Sequence, residues 1–520
     1  MLSIFIGLDW LKKGEYINMP IPFKNDPIEF NQRLLFPSNV FDLLPNDHEC
    51  FVYDGIFRHL DTSTVEKKYS RLGQNAYHPG LIVGILIYAY SNGVFSSRQI
   101  EKKCHEDLGF MYVSHLNCPN FRVLSDFRKD NPEFLKESFK QSALMAKELG
   151  MVSLGHVSLD GSKFKANTSK HKAMSYEYLM LREKELVSQI DGLIEQAEQR
   201  DQAEDAQYQD KTGCEIPEEL KIKEKRLAKI RAAKEALEKR EKALHPEHNI
   251  DEKKQISFAD KEARIMGKKG QYEYAYNGQI SVDQESQIIV GQHLTQNAND
   301  KKEVGLALEE IQETVTELPE KMSFDNGYMS GSNLEELEGA EVDAYIATGR
   351  EEKKDLRSIE ECNREIKKCD FSYDSQRDCF TCPGGHTLEL RRKGEDGKRV
   401  YQANREACEG CPYRDRCCKS KKSEPRTIHT DDKEPLRQQM IEKMEQEASK
   451  EIYKKRKEIV EPVFGQIKNG GFRGFLLRGF RKASGEFSLV CAVHNFKKIA
   501  RAVLSGKVCL GAREIGLAVA

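Results

Sequence analysis

Two short apolar runs, Val157-Ser158-Leu159 and Met322-Ser323-Phe324, each stop at an aspartate that glycine follows within two residues. Apolar and β-branched runs closed by a turn former read as strands. Further strand-like stretches cover 272–282, 287–294 and 342–347, with a helical stretch over 301–317 among them. Strands alternating with helices predict an α/β fold, a sheet flanked by helices, with Asp160 and Asp325 at the carboxyl ends of two strands. An aspartate before glycine is by itself an ordinary turn former. What turns this pair toward chemistry is a third carboxylate, Glu461, set in a basic stretch. From Lys450 to Lys498 twelve Lys/Arg stand against four Asp/Glu, although the whole chain carries a formal charge of only -2. Positive charge concentrated in one segment suits a phosphate-bearing partner, which the net value conceals.

Tyr453, Lys457, Glu461, Phe464 and Lys468 recur every three or four residues and share one helical face, with Arg456 alongside. Pro462 lacks an N–H donor and crowds the turn before it, so a kink or a fresh helix start is expected there. Val463, Phe464 and Ile467 give the helix a buried side, unlike a wholly solvated Lys/Glu helix. Two aspartates and a glutamate from separate elements are the donors that hard Mg²⁺ or Mn²⁺ prefers. A pair of such ions can activate a water or a 3′-hydroxyl against a phosphodiester. Arg473 and Arg478, in the Gly/Arg-rich loop that follows, are further candidates for contact with DNA.

The remaining segments differ in texture. With 520 residues, 38% of them hydrophobic and 32% charged, the chain has room for two to four domains and the composition of a soluble protein. Its longest apolar run, Leu81 to Ala89, is too short to span a bilayer, and its start lacks the parts of a secretory signal. A cytoplasmic protein is therefore expected. From His78 to Gly150 the pattern is helical, and Arg98, Lys102 and Lys103 are candidates for reading DNA. Tyr176 to Leu244, rich in Glu, Lys, Arg, Ala, Gln and Leu, predicts two antiparallel helices with turn signals near 211–217.

Eight of the fourteen cysteines fall between Cys362 and Cys418. In a reducing compartment this argues for thiols or metal ligands rather than disulfides. Cys379 with Cys382 and Cys408 with Cys411 form two Cys-x-x-Cys pairs whose spacing suits a tetrahedral Zn²⁺. Cys417 competes with Cys379 for the fourth place, and free thiols are the alternative. The segment is rich in Lys, Arg and Gly, and too poor in apolar residues to fold without such a staple.

Three blocks then carry a resemblance: Val157-Ser158-Leu159-Asp160-Gly161-Ser162-Lys163, Phe324-Asp325-Asn326-Gly327-Tyr328, and Ile459-Val460-Glu461-Pro462-Val463-Phe464-Gly465-Gln466-Ile467-Lys468. They resemble the bacterial insertion-sequence transposases of the DDE class, in the subgroup with a helical N-terminal domain and a cysteine-rich insertion. Asp260, Arg264 and Tyr276-Asn277-Gly278-Gln279 add to it. The resemblance implies an RNase H-like mixed sheet flanked by helices, with Asp160, Asp325 and Glu461 as catalytic metal ligands. It implies hydrolysis at the 3′ ends of an element, followed by attack of the freed 3′-hydroxyl on target DNA. Double-stranded DNA is the implied partner, and a homodimer or higher oligomer the implied assembly on it. The family's tyrosine, arginine, glutamate and lysine signature falls on Tyr453, Glu461 and Lys468, with its arginine at Arg456 or Lys457. The implied domains are a helical DNA-binding domain over 1–150 and a catalytic domain starting at 151–349, with a helical insertion at 176–250. A cysteine-rich insertion follows at 350–450, and 451–520 completes the catalytic domain. A catalytically inactive DNA-binding regulator and a metal-dependent nuclease without strand transfer are the rival readings.

Overall fold

The computed structural model describes residues 39–70, 75–168, 173–205, 218–268, 271–348, 364–394, 397–418 and 424–510. The chain divides into two compact units, Met1–Ser142 with Ala492–Ala520, and Ala143–Cys491. In the first, α1 (Glu49–Phe57), α2 (Ser63–Glu66), α3 (Pro79–Ser91), α4 (Ser97–Glu106), α5 (Leu108–Val113) and α6 (Phe121–Asp130) precede α7 (Pro132–Glu148). Helix α3 is the longest apolar run of the sequence, buried almost throughout and started by Pro79 in its first turn. Arg98, Lys102 and Lys103 are exposed on α4. The Arg98 guanidinium lies 4.0 Å over the Phe121 ring, and the two lysines pair along their own helix with Glu106 and Asp107. No helix among the described residues is long and apolar enough to cross a membrane.

The second unit begins with β1 (Val157–Lys165), β2 (Ala173–Ser175), α8 (Tyr176–Asp205), α9 (Glu218–Leu244), β3 (Gln255–Ser257), β4 (Arg264–Lys268), β5 (Gln271–Asp283) and β6 (Ile289–Thr295). It continues through α10 (Val304–Val315), β7 (Lys321–Phe324), α11 (Gly331–Gly339) and β8 (Asp343–Ile346). The central sheet runs β4-β5-β1-β7-β8, with β6 also on β5. β5 is antiparallel to β1, whereas β1, β7 and β8 are mutually parallel, which makes the expected mixed α/β sheet. β1 does not stop at Asp160: it runs on to Lys165 against β5, with Gly161 opposite Gln279. A Cβ at Gly161 would stand 2.4 Å from Gln279 Nε2, so this glycine makes room for a neighbour instead of turning the chain.

Helices α8 and α9 form the expected hairpin, with an apolar seam of their own that includes Leu179, Leu186, Ile190, Leu227, Ile230 and Leu237. The turn signals at 211–217 lie outside the described residues. The cysteine-rich segment departs from expectation. It forms an antiparallel sheet of β9 (Ser372–Asp374), β10 (Cys379–Thr381), β11 (Thr387–Lys393), β12 (Lys398–Ala403) and β13 (Thr427–Asp431), with α12 (Arg405–Glu409) and α13 (Arg414–Cys417). Phe371, Phe380, Leu388, Tyr401 and Ile428 give it a core. Alternation in short strands turns these few large side chains inward, so a low apolar fraction still closes a core.

Beyond it come α14 (Glu434–Glu445), α15 (Glu447–Lys454), α16 (Arg456–Ile459), α17 (Glu461–Asn469) and α18 (Phe480–Leu504). The helix expected from Glu451 to Lys468 is thus three helices. A proline cannot donate to the fourth residue back and its ring crowds that carbonyl. The chain therefore restarts at Glu461 and carries Pro462 in the first turn, where the missing donor costs nothing. Phe164 fastens α17 to the sheet: its ring lies 5.6–6.2 Å from those of Phe464, Phe472, Phe475 and Phe487.

The β1–β7 pairing is closed by buried polar contacts. Ser158 Oγ lies 2.6 Å from Ser323 Oγ, and His156 Nε2 2.9 Å from the same hydroxyl. Burial, with smaller contributions from Lys455 and Lys321, lowers the His156 pKa from 6.5 to about 4. The folded protein holds this ring neutral while the unfolded chain protonates it below about 6.5, so its contribution is complete above that pH and is lost as the pH falls toward about 4. At about 1.4 kcal/mol per pH unit the loss is on the order of 3 kcal/mol. Urea unfolding followed by circular dichroism between pH 4 and 7 is expected to show this loss, and His156→Gln to flatten it.

Candidate active site

Register brings the two aspartates together. Val157 pairs with Met322 and Ser158 with Ser323 in parallel. Two residues further along come Asp160, still in β1, and Asp325, just past the end of β7, so the register brings the two to neighbouring positions at the strand ends. Asp325 follows β7 directly and accepts the Gly327 N–H at 2.8 Å, which fixes its carboxylate at the start of a tight turn. Asp160 holds its proton unusually well: burial raises its pKa to about 6, with Arg456 opposing and Asp325 and Asp300 adding to the rise.

Glu461 is joined to Asp160 through Arg456. The Arg456 guanidinium places Nη2 3.1 Å from Asp160 Oδ2 and Nη1 3.5 Å from Glu461 Oε1. Its side chain is 7% exposed, and its Nε has no hydrogen-bond partner among the described residues. Lys457, the other candidate for the arginine place, is exposed. Helix α16 is bounded by Lys455 and Val460, both still in right-handed helical conformation, and it is Arg456 whose side chain turns to the carboxylates. Tyr453 is half-buried near the carboxylates, its phenol pKa raised first by burial and then by Asp325, Asp160 and Glu461, with Arg456 opposing. Lys468 donates to Ser162 Oγ at 2.6 Å and lies 5.3 Å over the Phe164 ring. Its ammonium pKa is lowered by burial, which Asp160 opposes. Asp160, Ser162 and Phe164 alternate onto one face of β1, so strand, lysine and aromatic cluster fit together.

Asp300 also belongs to this neighbourhood. Asn277 Nδ2 and Gln279 Nε2 donate to its Oδ1 at 2.8 and 2.6 Å, and the buried Tyr328 hydroxyl donates to Gln279 Oε1. In the sequence Asp300 ends a polar run, Asn297-Ala298-Asn299-Asp300, that looks like any loop. Its only signal is position between a strand and a helix.

Carboxylate oxygens from several elements, carrying more negative charge than one guanidinium offsets, fit hard divalent cations. No three His, Cys, Asp or Glu side chains among the described residues are spaced to share one ion. Arg456 stands between Asp160 and Glu461.

A cleft of about 430 Å³ lies past the end of β1, lined by Lys165, Asn167, Thr168, Arg473 and Arg478 among others. Arg473 and Arg478 are exposed along it. Asp260 braces its far wall by accepting the Tyr276 hydroxyl at 2.8 Å and the Gly479 N–H at 3.2 Å. In the cysteine-rich sheet Cys382, Cys408, Cys411, Cys417 and Cys418 line one cavity of about 20 Å³ with His386. Cys379 is not among them. It lies in β10, and in extended chain a side chain three residues from Cys382 points to the opposite side.

No curated protein matches the chain. Two family models do. Residues 38–130 match one described as Transposase domain (DUF772), and residues 381–500, which include Glu461 but neither Asp160 nor Asp325, match one described as Transposase DDE domain. The N-terminal and the C-terminal match point the same way, and both support an insertion-sequence DDE transposase.

Proposed function

We propose that this chain is a DDE transposase that cleaves the ends of an insertion element and joins them to target DNA, with Asp160, Asp325 and Glu461 as its divalent-metal ligands. The observation that carries the reading is the alignment of Asp160 with Asp325 across adjacent parallel strands, with Glu461 joined to Asp160 through Arg456. Magnesium or manganese, when bound, would supply an activated water or 3′-hydroxyl and stabilise the leaving oxygen. The chain's own groups do the rest. Asp160, within β1, and Asp325, directly after β7, fix the ligand positions, while Glu461, exposed in the first turn of α17, can adjust to the DNA. Lys468 and Ser162 stand beside Asp160, placed to hold a scissile phosphate. Arg456 neutralises carboxylates at rest and is near enough to transfer to a DNA phosphate when cations arrive. Lys165, Arg473 and Arg478 extend the positive surface along the adjoining cleft.

Changing Asp160, Asp325 or Glu461 to Ala is expected to lower end cleavage and strand transfer on the order of a thousandfold or more while duplex binding persists. Full activity in all three variants would overturn the assignment. A nuclease would show cleavage without joined products, and an inactive regulator binding without either. Arg473→Ala and Arg478→Ala should weaken binding alike on all sequences, each lowering the slope of log affinity against log salt by about one. Fluorescence anisotropy at several salt concentrations measures this.

For the cysteine-rich sheet, we assign Cys382, Cys408 and Cys411, with Cys417 completing the set, to a structural zinc. The donor chemistry fits, since these thiols line one small cavity and the backbone N–H of His386 donates to Cys382 Sγ at 3.3 Å. Metal analysis of purified protein is expected to find about one zinc per chain, released in Cys408→Ser. A zinc-free, fully folded protein would make them free thiols.

A further inference from the structure

The carboxylate set is larger than the three residues named so far. Gly327 has no side chain, and from the point where its Cβ would stand Asp325 Oδ1 is 2.9 Å away and Asp300 Oδ2 3.4 Å away. The two carboxylates therefore face each other across a space that only a glycine keeps open. The point that a Cβ on Gly161 would occupy is 3.0 Å from Asp300 Oδ1, which puts Asp300 against the strand of Asp160 as well. β7 has ended at Phe324, and Asp300, held by Asn277 and Gln279 of β5, lies near Asp325 just beyond that end.

The two oxygens of Asp300 are differently employed. Oδ1 takes both amide donors, from Asn277 and Gln279, and Gln279 is itself held by the fully buried Tyr328. Three side chains that are at most 1% exposed thus fix one carboxylate rigidly and leave Oδ2 free. A carboxylate needed only as an anchor would spend both oxygens. Neither Asp300 nor Asp325 has a basic side chain at ion-pair distance among the described residues. Lys163 acts on Asp300 through space, Lys468 stands beside Asp160, and Arg456 serves Asp160 and Glu461 and still has an unpartnered Nε in a nine-tenths-buried position. None of these cations pairs directly with Asp325 among the described residues.

We propose that Asp300 is a fourth carboxylate of the metal site, presenting Oδ2 to the ion held by Asp325 while Asn277 and Gln279 hold Oδ1. This rests on the metal-dependent reading above and adds a ligand to it. Rigid support from β5 is what Glu461, on a helix start and half-exposed, lacks. Asp300 would keep an ion seated while Glu461 moves.

Mn²⁺ binding to the full chain, followed by electron paramagnetic resonance without DNA or turnover, tests it. Asp300→Asn keeps an oxygen for the two amide donors and removes the charge. The expected result is Mn²⁺ affinity lowered roughly tenfold to a hundredfold, with the thermal melt close to wild type. Asp300→Glu, which keeps the charge, should lose less, and serves as the readout if the asparagine variant folds poorly. Wild-type affinity in both variants, with binding lost in Asp160→Asn, would overturn the Asp300 assignment and leave the three-carboxylate reading standing. Absence of Mn²⁺ binding by the wild-type protein would remove both.

Discussion

The parallel pairing of β1 with β7 is the constraint on which the site depends. A slip of one residue would turn Asp160 and Asp325 to opposite faces. The register is held by more than backbone hydrogen bonds, since Ser158, Ser323 and His156 form a buried polar cluster just before the aspartates. Such a cluster is stabilising only when all of its members are paired, so it penalises any other register. The same cluster requires His156 to stay neutral, which ties the register to pH. β5 then fixes the other side, because Gln279 lies opposite Gly161 and a larger residue there would have to displace the Gln279 amide.

Electrostatics at the strand ends follow from that geometry. Burial of Asp160 at this edge, with Asp325 and Asp300 nearby, raises the energy of its charged form, which its pKa of about 6 registers. Removing Arg456 would leave that charge less compensated, whereas removing an aspartate would leave the guanidinium buried without a counter-charge. Buried pairs are costly to break from either side. The arrangement is stable as an ion pair, and under the metal-dependent reading proposed above the same charges would give an electrostatic basis for exchanging Arg456 between carboxylate and phosphate.

The sequence made some of this legible for definite reasons. Asp160 and Asp325 announce themselves because short apolar runs end in polar turn formers, and Pro462 marks the helix restart at Glu461 because its chemistry allows little else. β1's continuation past Asp160 was hidden, since glycine signals a turn more often than a close neighbour. The choice between Arg456 and Lys457 was undecidable by spacing, because only the fold shows which side chain turns to the carboxylates. The β-sheet of the cysteine-rich segment escaped notice because its strands are three to seven residues long and their outward positions are Lys, Arg and Glu. Asp300 lacked any local pattern: its significance lies in Asn277 and Gln279, some twenty residues earlier, which become its neighbours only when β5 turns back through β6.

The insertions show how a site built from distant residues tolerates long detours. Loop closure grows only slowly in cost with length, so what matters is whether an insertion carries its own core. The α8–α9 hairpin does so through its Leu and Ile seam, and the cysteine-rich sheet through its aromatic residues. Neither has to borrow apolar contacts from the central sheet. The carboxylate edge can therefore be positioned by Phe164 and its four aromatic neighbours, which join β1 directly to the segment carrying Glu461. That ring cluster is the physical link between the first and last residues of the triad. It lies on the same face of β1 as Asp160, so the packing that holds α17 in place also sets the distance over which Glu461 can reach the aspartates.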